Sequence, residues 1–229
     1  MPRLSLVALP LLVGCGGTMT IEGLDAFGTM WSAMWIHYDS GSFEYDALEL
    51  TNLSDGCEKL TAYYDAAEAA IEATDGLPSE GWCIAAHGPY EAWAKAGDAL
   101  VHDGAHYVDL SLFHGAETAP VEATFGVDNS AHLLSGVVTY MESSPYETFL
   151  ADWDTSASYE ESCGIDEASL EGRADVVNLS AGSLELANVE DEAFAAGRLD
   201  GELSGSNREL VGTIEATFRA TWCEVDVSF

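Results

Sequence analysis

The sequence predicts a mainly β protein of the α+β class, an antiparallel β-sandwich or incomplete barrel with an inserted pair of helices at about residues 55–75 and 89–101. Two observations support this prediction. Short segments in which apolar and polar residues alternate, separated by turns that contain glycine, recur along most of the chain. After the third of these segments, the apolar period changes to that of an α-helix. A chain of 229 residues with 48% hydrophobic residues is long enough for one substantial core.

The predicted strands differ in how clearly the alternation marks them. The last is the clearest, because every even position from Leu210 to Trp222 is apolar or glycine, whereas the odd positions are largely polar. Residues 30–38 are apolar on both sides, which predicts a central strand with two buried faces. The predicted strands cover residues 18–24, 30–38, 43–52, 106–113, 121–127, 132–141, 147–153, 175–180, 183–189, 194–203 and 209–225.

The two helices are predicted from their start signals. Asp55 and Glu58 have the spacing of a capping box, and the apolar residues that follow share one helical face up to a stop at Gly76. The second helix is predicted to begin at Pro89, because proline is tolerated at the first helical position, and to end at Val101.

The first fourteen residues have the order of a secretory signal. Arg3 is the only charge before an apolar run at residues 4–13, and that run is shorter than the roughly 20 residues needed to span a bilayer. Residues 12–15, Leu-Val-Gly-Cys, resemble the lipobox of bacterial lipoproteins, which implies cleavage before Cys15 and acylation of that cysteine. The alternative is an ordinary secreted protein whose signal contains a cysteine. The lipobox interpretation makes residues 1–14 a signal peptide, 15–18 a lipidated tether and 19–229 one β-rich domain.

A wider resemblance supports this location. The signal and lipobox, the segment 48–57 (LELTNLSDGC) and the ending 210–223 (LVGTIEATFRATWC) resemble the uncharacterised β-rich lipoproteins of myxobacteria and related Gram-negative bacteria. The resemblance implies a place in the cell envelope and a β-rich fold, but no activity. Gly16 follows the cysteine where an inner-membrane retention signal would have Asp, which by the enterobacterial sorting rule implies the outer membrane.

Four cysteines remain after Cys15, an even number that predicts two disulfides in an oxidising compartment. Zinc is the alternative, but no two of them lie within four residues of each other, as paired zinc ligands usually do. The sequence allows three pairings. We favour Cys57 with Cys83, which bracket one helical region, and Cys163 with Cys223, which would tie a long acidic loop to the last strand.

The charge balance is strongly acidic. The chain has 7 basic and 40 acidic residues, a formal charge of −33, and removal of Arg3 with the signal leaves 6 basic residues and a charge of −34. Phosphate binding depends on lysine and arginine, so nucleic acid is excluded as a partner. Repulsion within such a chain is relieved by salt or by divalent cations, which predicts a salty or calcium-containing exterior.

Metal ligands are suggested at two places. Asp152, Asp154 and Ser156 begin like a calcium loop, although Ala157 and Cys163 replace the glycine and the glutamate that such a loop needs. The alternative is a solvated acidic turn. A separate group of histidines could gather around a transition metal, or else be ordinary surface and core residues. These histidines are His102, His106 and His114.

Trp31 and Trp35 share one side of the second predicted strand. If that side were exposed, the two rings would form a platform for sugar rings or a protein partner. The alternative is core packing, which we favour because large aromatic side chains usually fill cores.

No familiar catalytic motif occurs, neither G-x-S-x-G, S-x-x-K, H-E-x-x-H, a P-loop nor a dinucleotide fingerprint. With 40 carboxylates, close acidic pairs arise by chance and indicate little. We therefore expect a lipid-anchored, non-enzymatic module that binds an envelope protein or glycan or has a structural role, with Ca²⁺ as an accessory. The alternative is a carboxylate-dependent hydrolase of peptidoglycan or envelope polysaccharide. A deep cleft with converging carboxylates and aromatic residues would favour the hydrolase.

Overall fold

The computed structural model of the chain describes residues 16–23, 32–39, 44–113, 122–129, 131–165, 174–190 and 193–225. The predicted signal peptide, Cys15, Trp31 and His114 lie outside these residues. The elements are β1 Gly16–Glu22, β2 Ser32–Asp39, β3 Glu44–Thr51, α1 Gly56–Thr74, α2 Trp82–Leu100, β4 His106–Phe113, β5 Thr124–Gly126, β6 Leu133–Met141, α3 Pro145–Asp152, a 3-10 helix Tyr159–Gly164, β7 Ala174–Glu190, β8 Phe194–Ser204 and β9 Leu210–Trp222.

The nine strands of the described residues form one sheet that closes on itself. Their order is β1-β9-β2-β3-β4-β6-β5-β7-β8, and β8 pairs again with β9. The seam between β2 and β9 is parallel and holds two residue pairs, Met34 with Thr221 and Trp35 with Trp222. The mainly β, α+β class is confirmed, and the sheet is not a clean barrel, because only two residue pairs join β2 to β9. It is mixed rather than wholly antiparallel, because β5 also pairs in parallel with β6.

Two apolar cores lie on opposite faces of the same strands. Because successive side chains of a strand point to opposite faces, β2 contributes Trp35 to the interior of the closed sheet and Met34 and Ile36 to its outer face. All three are at most 1% exposed, which confirms the two buried faces predicted for this strand. The outer core also takes Leu60 from α1 and Leu100 from α2.

The three α-helices and the 3-10 helix form what we call the helical layer. α1 and α2 pack as a hairpin, and α3 packs against α2. Of the described residues assigned to the two sheet cores, none comes from positions 65–99. The start of α1 and the end of α2 therefore lie on the sheet, whereas the rest of the two helices packs within the helical layer.

The strand predicted at residues 147–153 is wrong, because residues 147–152 belong to α3 and Trp153 is its C-cap. Pro145 occupies the first turn, and the Ser144 hydroxyl accepts a hydrogen bond from the backbone N–H of Tyr146 at 3.3 Å. Ser144 and Glu147 have the spacing of a capping box, a helix signal that the aromatic composition of the segment obscured. Local capping therefore outweighs the β propensity of the aromatic residues here.

Other boundaries also differ from prediction. α2 begins at Trp82, so that Pro89 lies inside the helix, because the first turns bury Cys83 and Ala86 and packing outweighs the lost backbone hydrogen bond. Asp55 does cap α1, but with φ 59° and without a side-chain hydrogen bond, so the predicted capping box does not form. The strands predicted at 175–180 and 183–189 are one strand, β7.

Both disulfides are present, but the favoured pairing is wrong. Cys57 bonds to Cys223 and Cys83 to Cys163, with Cα atoms 5.4 and 5.5 Å apart. Cys57 and Cys83 each lie at the start of a helix in an antiparallel hairpin, so at 1.5 Å per residue roughly 25 Å separates them. That span is far beyond the reach of a disulfide, which explains why the bracketed pair cannot form.

The chain enters the sheet earlier than predicted. Gly16 and Thr18, assigned to the tether at 15–18, already pair with Arg219 and Thr217 of β9. The Thr18 and Thr217 hydroxyls lie 2.8 Å apart. The segment after Cys15 is therefore part of the domain, and Cys15 directly precedes an edge strand.

Candidate functional site

Aromatic side chains concentrate on the facing sides of α2 and α3. Trp82, Tyr90 and Trp93 are eight and three residues apart, a spacing that places them on one side of α2. Phe149 lies on α3, and Trp153 is the residue that directly follows this helix. Ring centroids lie 5.4 Å apart for Trp93 and Phe149 and 5.6 Å apart for Tyr90 and Trp153. These distances are typical of favourable aromatic pairs.

Tyr146 joins all three helices. Its ring lies against Gly97 of α2, where an added Cβ would come within 2.6 Å of the ring atoms. Its hydroxyl donates a hydrogen bond to the Tyr63 hydroxyl of α1 at 3.1 Å. Burial, with the hydrogen bond to Tyr63 as a second cause, raises the pKa of Tyr146. The phenol thus stays neutral and acts as a buried structural contact.

Three adjoining grooves open on this cluster, with volumes of about 420, 430 and 330 Å³, and Tyr90 lines all three. Two partly exposed side chains stand at the surface, Tyr159 at 54% exposed and Ile71 at 64% exposed. We call this combined surface the aromatic groove. It is lined principally by Ile71, Trp82, Tyr90, Trp93, Trp153 and Tyr159.

The walls of the aromatic groove are held in place covalently. The disulfide between Cys83 and Cys163 joins the start of α2 to the 3-10 helix that carries Tyr159. The Trp153 indole N–H donates a hydrogen bond to the Cys83 carbonyl at 3.0 Å, and the Trp82 and Trp153 rings stack at 6.3 Å. Such a fixed concave surface loses little freedom when a ligand binds.

The charge around the aromatic groove is negative. Asp75 lines the first groove, and no lysine or arginine among the described residues lines any of the three. Lys95, farther along α2, lies 2.6 Å from Glu91, and this hydrogen bond lowers the pKa of Glu91. The nearest described lysine on this helix is therefore already paired.

A carboxylate pair lies on the outer face of β3 and β4. Glu49 and Asp109 are direct partners in the sheet register, which brings their Cβ atoms to about 5 Å. Burial, reinforced by the Asp109 charge, raises the pKa of Glu49 to about 7, and burial also raises the pKa of Asp109. The neighbouring Tyr107 hydroxyl is buried without a hydrogen-bond partner in the described part of the chain. Near neutral pH this pair can both donate and accept a proton.

A histidine–aspartate pair lies on the inner side of β2 and β3. His37 Nδ1 is 2.9 Å from Asp46 Oδ1, and the Asp46 side chain is fully buried. The His37 ring stacks on Trp222 at 6.4 Å. The aspartate fixes the orientation of the imidazole, as it would for a general base, but neither residue lines the aromatic groove.

The predicted calcium ligands form a closed turn. The Asp154 carboxylate accepts hydrogen bonds from the Ser156 backbone N–H at 2.8 Å and from its hydroxyl at 2.7 Å, and these bonds lower the pKa of Asp154. Asp152 is the last residue of α3. Within the described ranges, no three His, Cys, Asp or Glu side chains gather where they could hold a metal ion.

No group of metal ligands forms at His102 or His106 within the described residues, and His114 lies outside them. His106 is buried against the Tyr140 ring at 5.1 Å, and burial lowers its pKa. His102 Nδ1 lies 2.8 Å from the carbonyl oxygen of Asp103. Trp35, half of the proposed platform, is 1% exposed, so the core alternative is confirmed for this residue.

The aromatic groove was not predicted from the sequence. The sequence signal for it was the spacing of Trp82, Tyr90 and Trp93. These residues share one helix face only if the helix starts at Trp82 and not at Pro89. The contribution of α3 was hidden as well, because Phe149 and Trp153 were assigned to a strand. The missed aromatic residues therefore follow from the misplaced helix boundaries.

Comparison with protein-family models, curated proteins and solved structures finds no match to this chain. Among the described residues, no helix is both long enough and apolar enough to cross a membrane. The site must therefore be interpreted from its own geometry.

Proposed function

We propose that this protein is a lipid-anchored protein of the cell envelope, at the outer membrane of a Gram-negative bacterium, and that its domain is a non-enzymatic binding module. The aromatic groove is its binding surface, and an envelope protein or glycan is its ligand. One observation supports this function above all others. Three concave surfaces adjoin on a layer whose rings are partly exposed and in which a disulfide joins α2 to the 3-10 helix.

The sequence and the position of β1 support the anchor. The lipobox-like residues 12–15 end at Cys15, and β1 begins at the next residue. Two or three acyl chains on Cys15 would hold the protein stably, where one chain would bind only reversibly. The disulfides fit an exported protein, because they persist in oxidising compartments.

Metabolic labelling tests the anchor. Cells that express the full chain are grown with radioactive palmitate, and we expect label on the wild type and on the control Thr18→Ala but not on Cys15→Ala. Mass spectrometry of the purified wild type should find an N-terminus at residue 15 that carries the mass of acyl chains. An N-terminus before residue 15, or an unmodified Cys15, would refute the anchor.

Site-specific photocrosslinking tests the groove. A photoreactive amino acid replaces Tyr159, and matched exposed positions on the sheet, Leu210 at 62% exposed and Val176 at 48% exposed, serve as controls. In intact cells we expect a discrete crosslinked product from position 159 alone. Its yield should fall at least about fivefold when Trp82→Ala is added, because hot-spot aromatic residues carry much of the binding energy.

Equal crosslinking from positions 159, 176 and 210 would mean that the aromatic groove is no special surface. The binding role would then lose its support. An adduct at 159 that persists unchanged in Trp82→Ala would place the contact outside the groove.

A hydrolase remains the second candidate because of the Glu49–Asp109 pair. Its raised pKa values suit acid–base work, but neither carboxylate lines the described grooves. Purified protein is incubated with peptidoglycan and with envelope polysaccharide, and released fragments are measured. Release that disappears in Glu49→Gln and in Asp109→Asn, but persists in Trp82→Ala, would favour the hydrolase over the binding module.

A further inference from the structure

The charge of the whole chain restricts what the aromatic groove can take. At a formal charge of −33, the protein repels anionic polymers at long range and attracts cations. The same sign holds locally, where Asp75 lines the first groove beside Trp82 and Tyr159. The exposed Glu68 lies on α1 three residues before the groove residue Ile71, on the same side of the helix.

The aromatic side chains suit a cation as well. The face of a tryptophan or tyrosine ring attracts an ammonium or guanidinium group, and a nearby carboxylate strengthens that attraction. The first groove offers both, because Trp82, Tyr90 and Tyr159 line it together with Asp75. The second and third grooves continue the surface mainly with apolar side chains, among them Trp93, Phe149 and Trp153.

We infer that the aromatic groove binds a cationic amphipathic peptide segment. Its lysine or arginine side chains lie over the rings of Trp82 and Tyr159 beside Asp75, and its apolar side chains enter the second and third grooves. Charge complementarity supports this occupant, because in the described part of the chain the groove holds aromatic rings and a carboxylate but no cationic side chain. The inference rests on the proposed binding function and names the partner's chemistry.

Other occupants fit less well. An anionic polysaccharide or lipid headgroup would need cationic side chains in the groove. A neutral glycan could stack on the rings, but it would gain nothing from the charge of the chain, and its binding would hardly depend on salt. Salt dependence therefore separates the peptide from the glycan.

Binding is measured with the full-length chain in a neutral detergent, by the change in tryptophan fluorescence. The probes are a helical Lys/Leu peptide, the same peptide with Glu at every Lys position, and a neutral chitooligosaccharide. We expect the Lys/Leu peptide to bind and to weaken about tenfold between 50 and 500 mM salt, and the Glu peptide not to bind. Peptide mixed with detergent alone gives the background.

Variants then locate the contact. Tyr159→Ala should weaken binding of the Lys/Leu peptide about tenfold, and Asp75→Asn about threefold with a smaller salt dependence, whereas Leu210→Ala should leave binding unchanged. Both tested side chains are exposed, so their loss leaves the fold intact, which circular dichroism verifies.

Each of the other outcomes contradicts either the peptide inference or the proposed binding function. Equal binding of the Lys and Glu peptides, or Lys-peptide binding unaffected by Tyr159→Ala and Asp75→Asn, refutes the cationic occupant. Binding of the oligosaccharide alone refutes the peptide and leaves the binding module standing, with a glycan as its ligand. If no probe binds, the peptide inference falls, and a groove-specific crosslink at position 159 in cells decides separately whether the binding module survives.

Discussion

The closed sheet and the helical layer of this protein are stabilised in different ways. The sheet interior is filled mainly by aliphatic side chains such as Leu48, Leu110 and Leu199, each at most 1% exposed. The helical layer instead packs aromatic side chains, many of them partly exposed, and is tied by the disulfide between Cys83 and Cys163. The difference teaches how one chain makes both a rigid support and a surface with open concavities.

Backbone chemistry explains the contrast. Strands exchange hydrogen bonds with their neighbours, so backbone pairing connects the sheet from β9 through β2 and back to β8. Helices satisfy their own backbone, so α1, α2 and α3 hold together only through side chains. Aromatic rings join these helices, and the three grooves open beside the rings.

The largest effect is expected from the disulfide of the helical layer. Replacing Cys83 and Cys163 together by serine removes a crosslink that closes an 80-residue loop, which by loop entropy lowers the free energy of unfolding by about 4.5 kcal/mol. Urea unfolding measures this loss. Because the 80-residue loop contains β4 and β6, amide hydrogen exchange should show reduced protection in both strands as well as in α2. Unchanged protection in β4 and β6 would mean that the crosslink stabilises the helical layer alone.

Trp35→Ala should cost about 4 kcal/mol, because it empties the interior of the closed sheet at a side chain that is 1% exposed. The matched change in the helical layer, Trp82→Ala, should cost about 1 kcal/mol, since that ring is partly exposed at the aromatic groove. Urea unfolding measures both. Similar losses would contradict the distinction between a packed core and an open surface.

Glu49→Gln should change how stability depends on pH. Burial raises the pKa of Glu49 from 4.5 to about 7, so between these values the folded protein retains a proton that the unfolded chain has released. The contribution of Glu49 to the free energy of unfolding therefore falls as pH rises through this window and levels off above it. Gln stays neutral, so the variant should be about 3 kcal/mol more stable than the wild type at pH 8 and equally stable at pH 4.

Urea unfolding at a series of pH values measures that effect. Asp109→Asn provides the comparison, because it removes the neighbouring charge that helps to raise the pKa of Glu49, and the window of falling stability should narrow. The stability advantage of Glu49→Gln over the wild type should grow between pH 4.5 and pH 7. An advantage that stays constant over this range would contradict a buried, protonated Glu49 carboxyl.

The smallest effect on stability is expected from Tyr159→Ala, less than about 0.5 kcal/mol, because this side chain is 54% exposed. Leu210→Ala on the sheet, 62% exposed, should be equally mild. The two should differ in ligand capture, which Tyr159→Ala alone reduces. A thermal melt of each variant, with crosslinking from position 71 as the functional readout, makes the comparison.

The local sequence pattern predicted a strand correctly where the backbone geometry by itself sets which residues are buried. The alternation in β9 and the two apolar faces of β2 could be predicted because strand geometry alone determines which residues are buried. The pattern failed at α3, where Phe149 and Trp153 favour a strand in isolation, and at α2, where Pro89 reads as a start. The first turns of α2 are helical because they bury Cys83 and Ala86, a contact that local sequence does not record. α3 does carry a local capping signal at Ser144, but the aromatic residues of the segment obscured it.

The sequence alone therefore determines the β-rich class, the presence of four pairable cysteines, the acidic charge and the expectation of an acylated Cys15, since composition and short periodicities carry these properties. Tertiary structure decides that Cys57 meets Cys223, that Glu49 faces Asp109, and that the aromatic residues of two helices enclose a groove. Such pairings join residues far apart in the chain. Their proximity depends on how helices and strands cross, and no local pattern encodes that.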